Sequence, residues 1–307
     1  MALIPNAFRQ TILENFHEQG AAWLDQLPAL IRQFAARWSL QMSDPFPLSY
    51  GYCAPAVQAG GREVVIKLAV PGDDFTHQVQ ALRFFDGRGM VRMIEADVEQ
   101  GAMLLERLRP GQMLVNEVTD DEQATRIAAR VMGAVWVPVS DGHPFPRMAD
   151  WAEEFKKIRS QFQDRICPLP ARTIDRTDDL FKELLASGGP QHLLHGDLHH
   201  FNILSVSEEG GLGWRAIDPF GVVGEREVEI GAFVRNPNLA LPITPELERK
   251  LKRRLDVFHE QLGLDLERMI AWASVYAAVS AWWTISTDAD GWQVDAALSD
   301  FFANHLG

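Results

Sequence analysis

Residues 192–204, HLLHGDLHHFNIL, bring together four of the chain's nine histidines, an aspartate and an asparagine among apolar residues. Side chains of these types serve two chemistries. His195, Asp197, His199 and His200 are all competent metal ligands, and alternate residues of an extended segment can point the same way. The spacings that would make a metal site specific, CxxC or HExxH, are missing, and one local cluster is weak support on its own. For a single histidine a half-buried, hydrogen-bonded side chain is the commoner state, and His192 fits it. Phosphoryl transfer accounts for more of the residues at once. Asp197 can accept the proton of an attacking hydroxyl, Asn202 can offer an oxygen to Mg2+, and Asp218, twenty-one positions beyond Asp197 in AIDPFG, can fill a further coordination position.

His195, Asp197, Leu198 and Asn202 reproduce the H-R-D-L-x-x-x-N spacing of protein-kinase catalytic loops. A GxxxxGK[ST] phosphate loop is missing, so the triphosphate would be held by Mg2+ and by a lysine. Lys67, inside VVIKLAV, is the candidate. Burying a lysine in an apolar strand costs free energy unless it is paired, and the α and β phosphates of ATP would pair it. Short motifs recur by chance. The order of strand lysine, LLERL, catalytic loop and second aspartate is what carries the reading.

Such side chains need a scaffold. Apolar residues recur at helical spacing from Asn6 to about Leu40, and Pro28 is expected to divide that segment into two short helices. The runs either side of AGG read as a hairpin closed by Pro71 and Gly72, followed by a helix through FTHQVQALRFFDGRG and two more strands in MVRMIEADVEQGAMLLERL. Beyond Arg109 the pattern becomes mainly helical. Thr119 and Glu122 stand at capping-box spacing before a helix whose one face carries Ala124, Ile127, Ala128, Val131, Met132 and Val135. Further helices are expected near 148–165, 178–187, 246–262 and 267–285, with short strands around HLLHGDLHHFNIL and WRAIDPFG. The expected fold is α+β, with a small mixed lobe over 1–108, including N-terminal helices within 6–40, and a larger helical lobe over 109–307. A cleft between such lobes is where a small ligand is expected.

The chain resembles the aminoglycoside phosphotransferases, and within them the streptomycin 6-phosphotransferase, or aminoglycoside/hydroxyurea antibiotic resistance kinase, branch. The resemblance runs through AAWLDQLPALIRQFAARWSL, VVIKLAVPG, ALRFFDGRGMVRMIEA, MLLERLRPG, LHGDLHHFNIL and IDPFGVVGEREVEIGAFVRNP. It implies a protein-kinase-like bilobal fold with an antiparallel sheet in the N-terminal lobe and a mainly helical C-terminal lobe. It also implies an ATP- and Mg2+-dependent transfer of the γ-phosphate to a hydroxyl, with an aminoglycoside of streptomycin type as the acceptor. By that resemblance Asp197 is the catalytic base, Asn202 and Asp218 hold the metal, Lys67 holds phosphate, and Glu106 and Leu108 offer backbone groups to adenine. Gln78 stands where the family usually has a glutamate that pairs with the lysine. Glu63, Asp73 or Asp74 could take its place in space. The same fold could instead phosphorylate another hydroxylated metabolite, or serve a nucleotide-binding pseudoenzyme.

A formal net charge of -13 argues against nucleic acid or an anionic membrane as partner and suits a cationic small molecule. Glu225, Glu227 and Glu229 are candidate carboxylates for such a substrate, as are Asp288, Asp290 and Asp295. For any one of them a solvated or helix-capping role is the commoner state. Trp282, Trp283 and Trp292 are expected in the core rather than stacked on a sugar. Two distant cysteines, Cys53 and Cys167, suggest a reducing compartment, and no stretch nears the ~20 apolar residues of a membrane span, so the expected location is the cytoplasm.

Overall fold

The computed structural model describes residues 4–140, 142–161, 167–207, 211, 213–237, 239–286 and 290–306. The chain divides into two compact units, Met1–Gly111 and Gln112–Gly307.

The first unit opens with α1 (Asn6–Arg37), followed by β1 (Leu40–Met42), β2 (Gly51–Gln58), β3 (Glu63–Ala69), α2 (Asp73–Phe85), β4 (Met93–Asp97) and β5 (Ala102–Glu106). The strands form one antiparallel sheet in the order β1-β2-β3-β5-β4. Alternation decides which residues are buried. Tyr52, Ala54, Ala56, Val64, Ile66, Leu68, Ala102 and Leu104 share a core with Phe8, Trp23, Leu24, Leu27 and Phe34 of α1. Lys67, one residue out of phase, therefore lies on the opposite face of β3. It is half-buried, with Cys53 and Met103 as its cross-strand neighbours.

Pro28 does not divide the N-terminal helix, contrary to expectation. It lies inside α1, and the break comes instead at His17, whose backbone is non-helical. A proline inside a helix costs ~3 kcal/mol. Here Trp23, Leu24 and Leu27 before it and Phe34 after it are all buried, and that packing holds the helix through the proline.

β6 (Pro110–Met113) leads into the second unit, and α3 (Leu114–Glu117) and α4 (Asp121–Val135) follow. The cap of α4 is Asp120 rather than Thr119: its carboxylate accepts from Gln123 N at 2.7 Å. Glu122 is drawn instead to Arg126 and Arg253. The expected apolar face of α4 is buried throughout. Beyond β7 (Val137–Pro138) and a 3-10 turn, Met148–Trp151, come α5 (Ala152–Gln161) and α6 (Ala171–Ala186). α6 begins a full two turns earlier than its periodicity suggested, because Thr173 and Thr177 stand on its buried face and break the apolar pattern. The chain continues through β8 (His192–Leu194), β9 (Ile203–Val206), β10 (Trp214–Ala216), β11 (Val222–Gly224), α7 (Glu229–Val234), α8 (Pro245–Leu262), α9 (Leu266–Ser286) and α10 (Trp292–Ala303).

α9 is the axis of this unit. Every residue from Ala271 to Trp282 is buried, as expected of a helix apolar all round, and α6, α7 and α10 pack on it. β8 pairs antiparallel with β11, Leu194 opposite Val222, so the segments flanking residues 195–202 and 217–221 are fixed by paired strands.

Candidate active site

The loop from His195 to Asn202 runs from the end of β8 to the start of β9, and Asp218 follows β10. His195 ties them together. Its carbonyl accepts from Phe220 N and Gly221 N at 2.8 and 3.0 Å. Its ring Nδ1 accepts from Asp197 N at 3.2 Å, which places the ring proton on Nε2, and Nε2 donates to Ile217 O at 2.8 Å. Burial pushes the pKa of His195 down to about 4, so the ring is neutral and this pattern of bonds holds at neutral pH. Ile217 N in turn donates to Asn202 O. Gly196 takes a φ of +86°, and a Cβ there would stand 2.9 Å from Val222 Cγ1. Only glycine lets the loop press this closely on β11.

Asp197 is held on every side except the outer one. Asn202 Nδ2 donates to its carbonyl at 3.0 Å. The Tyr276 hydroxyl, reaching from α9, donates to Gly196 O at 3.0 Å and lies 3.4 Å from Asp197 Oδ1. His199 Nε2 lies 3.4 Å from Oδ2, while His199 Nδ1 accepts from Phe201 N. The Asp197 side chain nevertheless keeps 44% of its surface exposed, enough for a substrate to reach it. Because Nδ2 of Asn202 is spent on the loop, Oδ1 is the atom it has for a metal. An amide oxygen and the carboxylate of Asp218 are the hard oxygen donors that Mg2+ takes, so the residues fit the ion. Asp218 itself has a φ of +61°, a strained left-handed conformation for an aspartate.

Two expected residues turn out to have other partners. Glu229, at the start of α7, is 1% exposed and accepts from His195 N at 2.7 Å and Gly196 N at 2.9 Å. It braces the loop from beneath. Burial pushes its pKa up to about 7, against the pull of those N–H groups, with Asp197 adding to the rise. Glu225 is also buried, in an ion pair with Arg268 through Nη2 at 2.6 Å and through Nε. Neither carboxylate is open to a cationic substrate. Glu227 is half-buried, with Arg226 on the turn leading into α7.

The other acids divide similarly. Asp295 is buried between Ser280 Oγ, at 3.0 Å, and Arg235, which grips it with two bonds of 3.0 and 2.7 Å. Asp290 is exposed and Asp288 lies outside the described residues. Burial works against the charge on Arg235, but Asp295, and beyond it Asp197, raise its pKa overall. The sequence gives no sign of either Tyr276 or Arg235 beside Asp197, since both sit in runs that read as core. The four histidines of residues 192–204 diverge: His192 bonds to Pro190 O, His195 to Ile217 O, His199 turns to Asp197, and His200 stacks on Phe233 at 3.9 Å. Among the described residues no three His, Cys, Asp or Glu side chains converge as a metal site.

In the first unit, Glu106 N is committed to Arg92 O and its carboxylate to Arg92 N, while Leu108 is 8% exposed. Of the acids considered as partners for Lys67, Glu63 is taken by Arg109, and Asp73 and Asp74 are exposed in the first turn of α2. Gln78 is half-buried on the same helix.

Residues 37–288 match the model of the aminoglycoside/hydroxyurea antibiotic resistance kinase family. The chain is 28% identical over 287 residues to a streptomycin 6-kinase of Streptomyces glaucescens, covering 92% of this chain and 91% of that one. A hydroxyurea phosphotransferase of Kitasatospora aureofaciens is 28% identical over 269 residues, 87% of this chain and 75% of the relative. Among solved structures, an amicoumacin kinase in complex with AMP-PNP, Ca2+ and Ami superposes with a TM-score of 0.61 at 14% identity, covering 95% of this chain and 96% of that one.

Proposed function

The chain belongs to the aminoglycoside/hydroxyurea antibiotic resistance kinase family, and from that membership we propose that it transfers the γ-phosphate of ATP to a hydroxyl of an aminoglycoside of streptomycin type. The observation that carries this reading is Asp197, a carboxylate fixed through its backbone by His195 and Asn202 yet open at its outer edge. Fixing the base removes part of the orientational cost of the reaction. Asp197 accepts the proton of the attacking hydroxyl as the O–P bond forms and the bond to ADP breaks. Asn202 Oδ1 and Asp218 would hold Mg2+, which would supply neutralisation of the phosphate charge. Lys67 takes the α and β phosphates, and the backbone of Glu106 and Leu108 meets the adenine.

Tyr276 and Glu229 act on the reaction through the loop. Burial keeps the Tyr276 hydroxyl protonated, its pKa raised well above that of a free tyrosine, so it remains a donor to Gly196 O. A relative that phosphorylates hydroxyurea supports the wider statement that the acceptor is a small hydroxylated molecule. Growth of a sensitive bacterium expressing the chain across an aminoglycoside panel tests the acceptor. Resistance to streptomycin, lost in an Asp197→Ala variant expressed at the same level, is the expected result. Unchanged sensitivity to every aminoglycoside would count against it.

A further inference from the structure

Of the four histidines in HLLHGDLHHFNIL, three are spent on the fold: His192 bonds Pro190 O, His195 ties the loop to residues 217–221, and His200 stacks on Phe233. His199 is the remaining one. Its ring is held by Phe201, whose backbone N–H donates to Nδ1 at 3.3 Å and whose own ring meets it edge to face at 5.7 Å. With Nδ1 accepting, the ring proton lies on Nε2.

That nitrogen stands between the two functional side chains of the loop, 3.4 Å from Asp197 Oδ2 and 3.5 Å from Asn202 Nδ2. Neither contact satisfies it. Asn202 Nδ2 is itself a donor, already bonded to Asp197 O, and a charge-assisted bond to a carboxylate closes to about 2.7–2.9 Å. A full bond to Asp197 would also work against the base, because a donor on the carboxylate favours its ionised form and weakens its pull on the hydroxyl proton. The His199 side chain keeps 16% of its surface exposed, beside the 44% of Asp197. Its Nε2–H is thus a fixed donor at the edge between the base and the amide that offers its oxygen to the metal.

We propose that His199 is a further catalytic residue, whose Nε2–H donates a hydrogen bond to an equatorial oxygen of the phosphoryl group being transferred. In the transfer the acceptor oxygen bonds to phosphorus, its proton passes to Asp197, and the bond from phosphorus to the bridging oxygen breaks, leaving its electron pair on ADP. His199 keeps its proton throughout. Charge in that transition state is spread over the three equatorial oxygens, and a donor fixed beforehand stabilises it without reorganising. This inference rests on the phosphotransferase reading above, and deepens it by giving His199 a contact with the group that moves.

The test is binding and kinetics of the full chain with Mg·ADP, Mg·ATP and streptomycin, for the wild type, His199→Gln, His199→Phe and His199→Met. Glutamine carries an N–H at about the reach of Nε2, whereas phenylalanine and methionine carry none. Titration calorimetry is expected to give dissociation constants for Mg·ADP within about twofold across the four proteins. Those for Mg·ATP should rise about fivefold or more in the phenylalanine and methionine variants alone, because only ATP brings the γ-phosphate. In the same two variants kcat should fall about 10- to 10²-fold, and glutamine should recover most of the wild-type rate. Binding of Mg·ADP reports that a variant is folded, and if His199→Phe fails it, His199→Met decides. A histidine that only orients Asp197 would lower kcat without separating ATP from ADP, and that result would overturn the proposal. So would a glutamine variant as slow as the phenylalanine one. The binding arms need no acceptor, so a wild type that loses the ATP preference on substitution yet phosphorylates no streptomycin would overturn the proposed acceptor and leave the His199 contact standing.

Discussion

At the scale of single residues, the loop from His195 to Asn202 is built so that many of its polar atoms satisfy one another while the Asp197 carboxylate stays 44% exposed. Tyr276 tests this economy. Its hydroxyl bonds the Gly196 carbonyl and flanks Asp197, so Tyr276→Phe leaves a buried carbonyl without its donor and frees one side of the base. Stability should fall by about 1–2 kcal/mol, and kcat should fall several-fold while the KM for ATP holds. Denaturant unfolding together with initial-rate kinetics measures both. Equal kcat would show that the hydroxyl serves the fold alone. The grouping of His195, Asp197 and Asn202 was legible from the sequence because one short loop carries all three. Glu229 was legible only as an acid. That it receives the amides of His195 and Gly196 depends on α7 lying under the loop, which no local pattern records.

At the scale of elements, helix ends are fixed by buried charge. The Arg254 side chain is wholly buried: it is bonded to Asp121 at the start of α4, to the carbonyls of Phe233 and Val234 in the last turn of α7, and to that of Asn236 just beyond it. One guanidinium thus joins α4, α7 and α8. Arg254→Met leaves the Asp121 carboxylate with Lys250 alone and strands three carbonyls, and should destabilise the protein by about 3 kcal/mol, read as a drop in the denaturant midpoint. A change below about 1 kcal/mol would mean that water replaces the network. Close packing of helices sets a second constraint. A Cβ on Gly231 of α7 would fall 2.5 Å from Tyr276 Cβ, so glycine is what brings α9 near enough for Tyr276 to reach the loop. Strong periodicity made α4 and α8 readable, and a long apolar run made α9 so. α10 was not read, because its apolar residues sit among Trp292, Gln293 and Asp295 without a clear repeat, and its place is set by packing on α9.

At the scale of the whole molecule, buried titratable groups link stability to pH. His195 and His200 have pKa values lowered by burial from 6.5 to about 4 and about 3, so in the folded chain they stay neutral while the unfolded chain takes up protons below pH 6.5. Their contribution is present above pH 6.5 and lost as pH falls. Glu229, raised from 4.5 to about 7, works the other way: its contribution is present below pH 4.5 and lost as pH rises towards 7. Between pH 4.5 and 6.5 the unfolded chain therefore carries about one more proton on these three groups than the folded chain, and stability should fall by roughly 3 kcal/mol on acidification across that interval. Both ring nitrogens of His200 are buried, with no hydrogen-bond partner among the described residues. His200→Phe, keeping the stack on Phe233, should flatten this dependence and stabilise the protein at pH 5 by about 2 kcal/mol. Melting curves of the metal-free protein from pH 4.5 to 7 check both, and parallel curves for variant and wild type would refute the assignment to His200.

The central claim is that Asp197 drives phosphate from ATP onto a hydroxyl. The direct measurement is mass spectrometry of streptomycin incubated with Mg·ATP and either the wild type or Asp197→Asn, which keeps the shape of the side chain and removes the base. The wild type should add one phosphoryl group to the acceptor, and the variant should do so at least ~10²-fold more slowly while still binding ATP within a few-fold of wild type. A variant that forms product within tenfold of the wild-type rate would contradict the account.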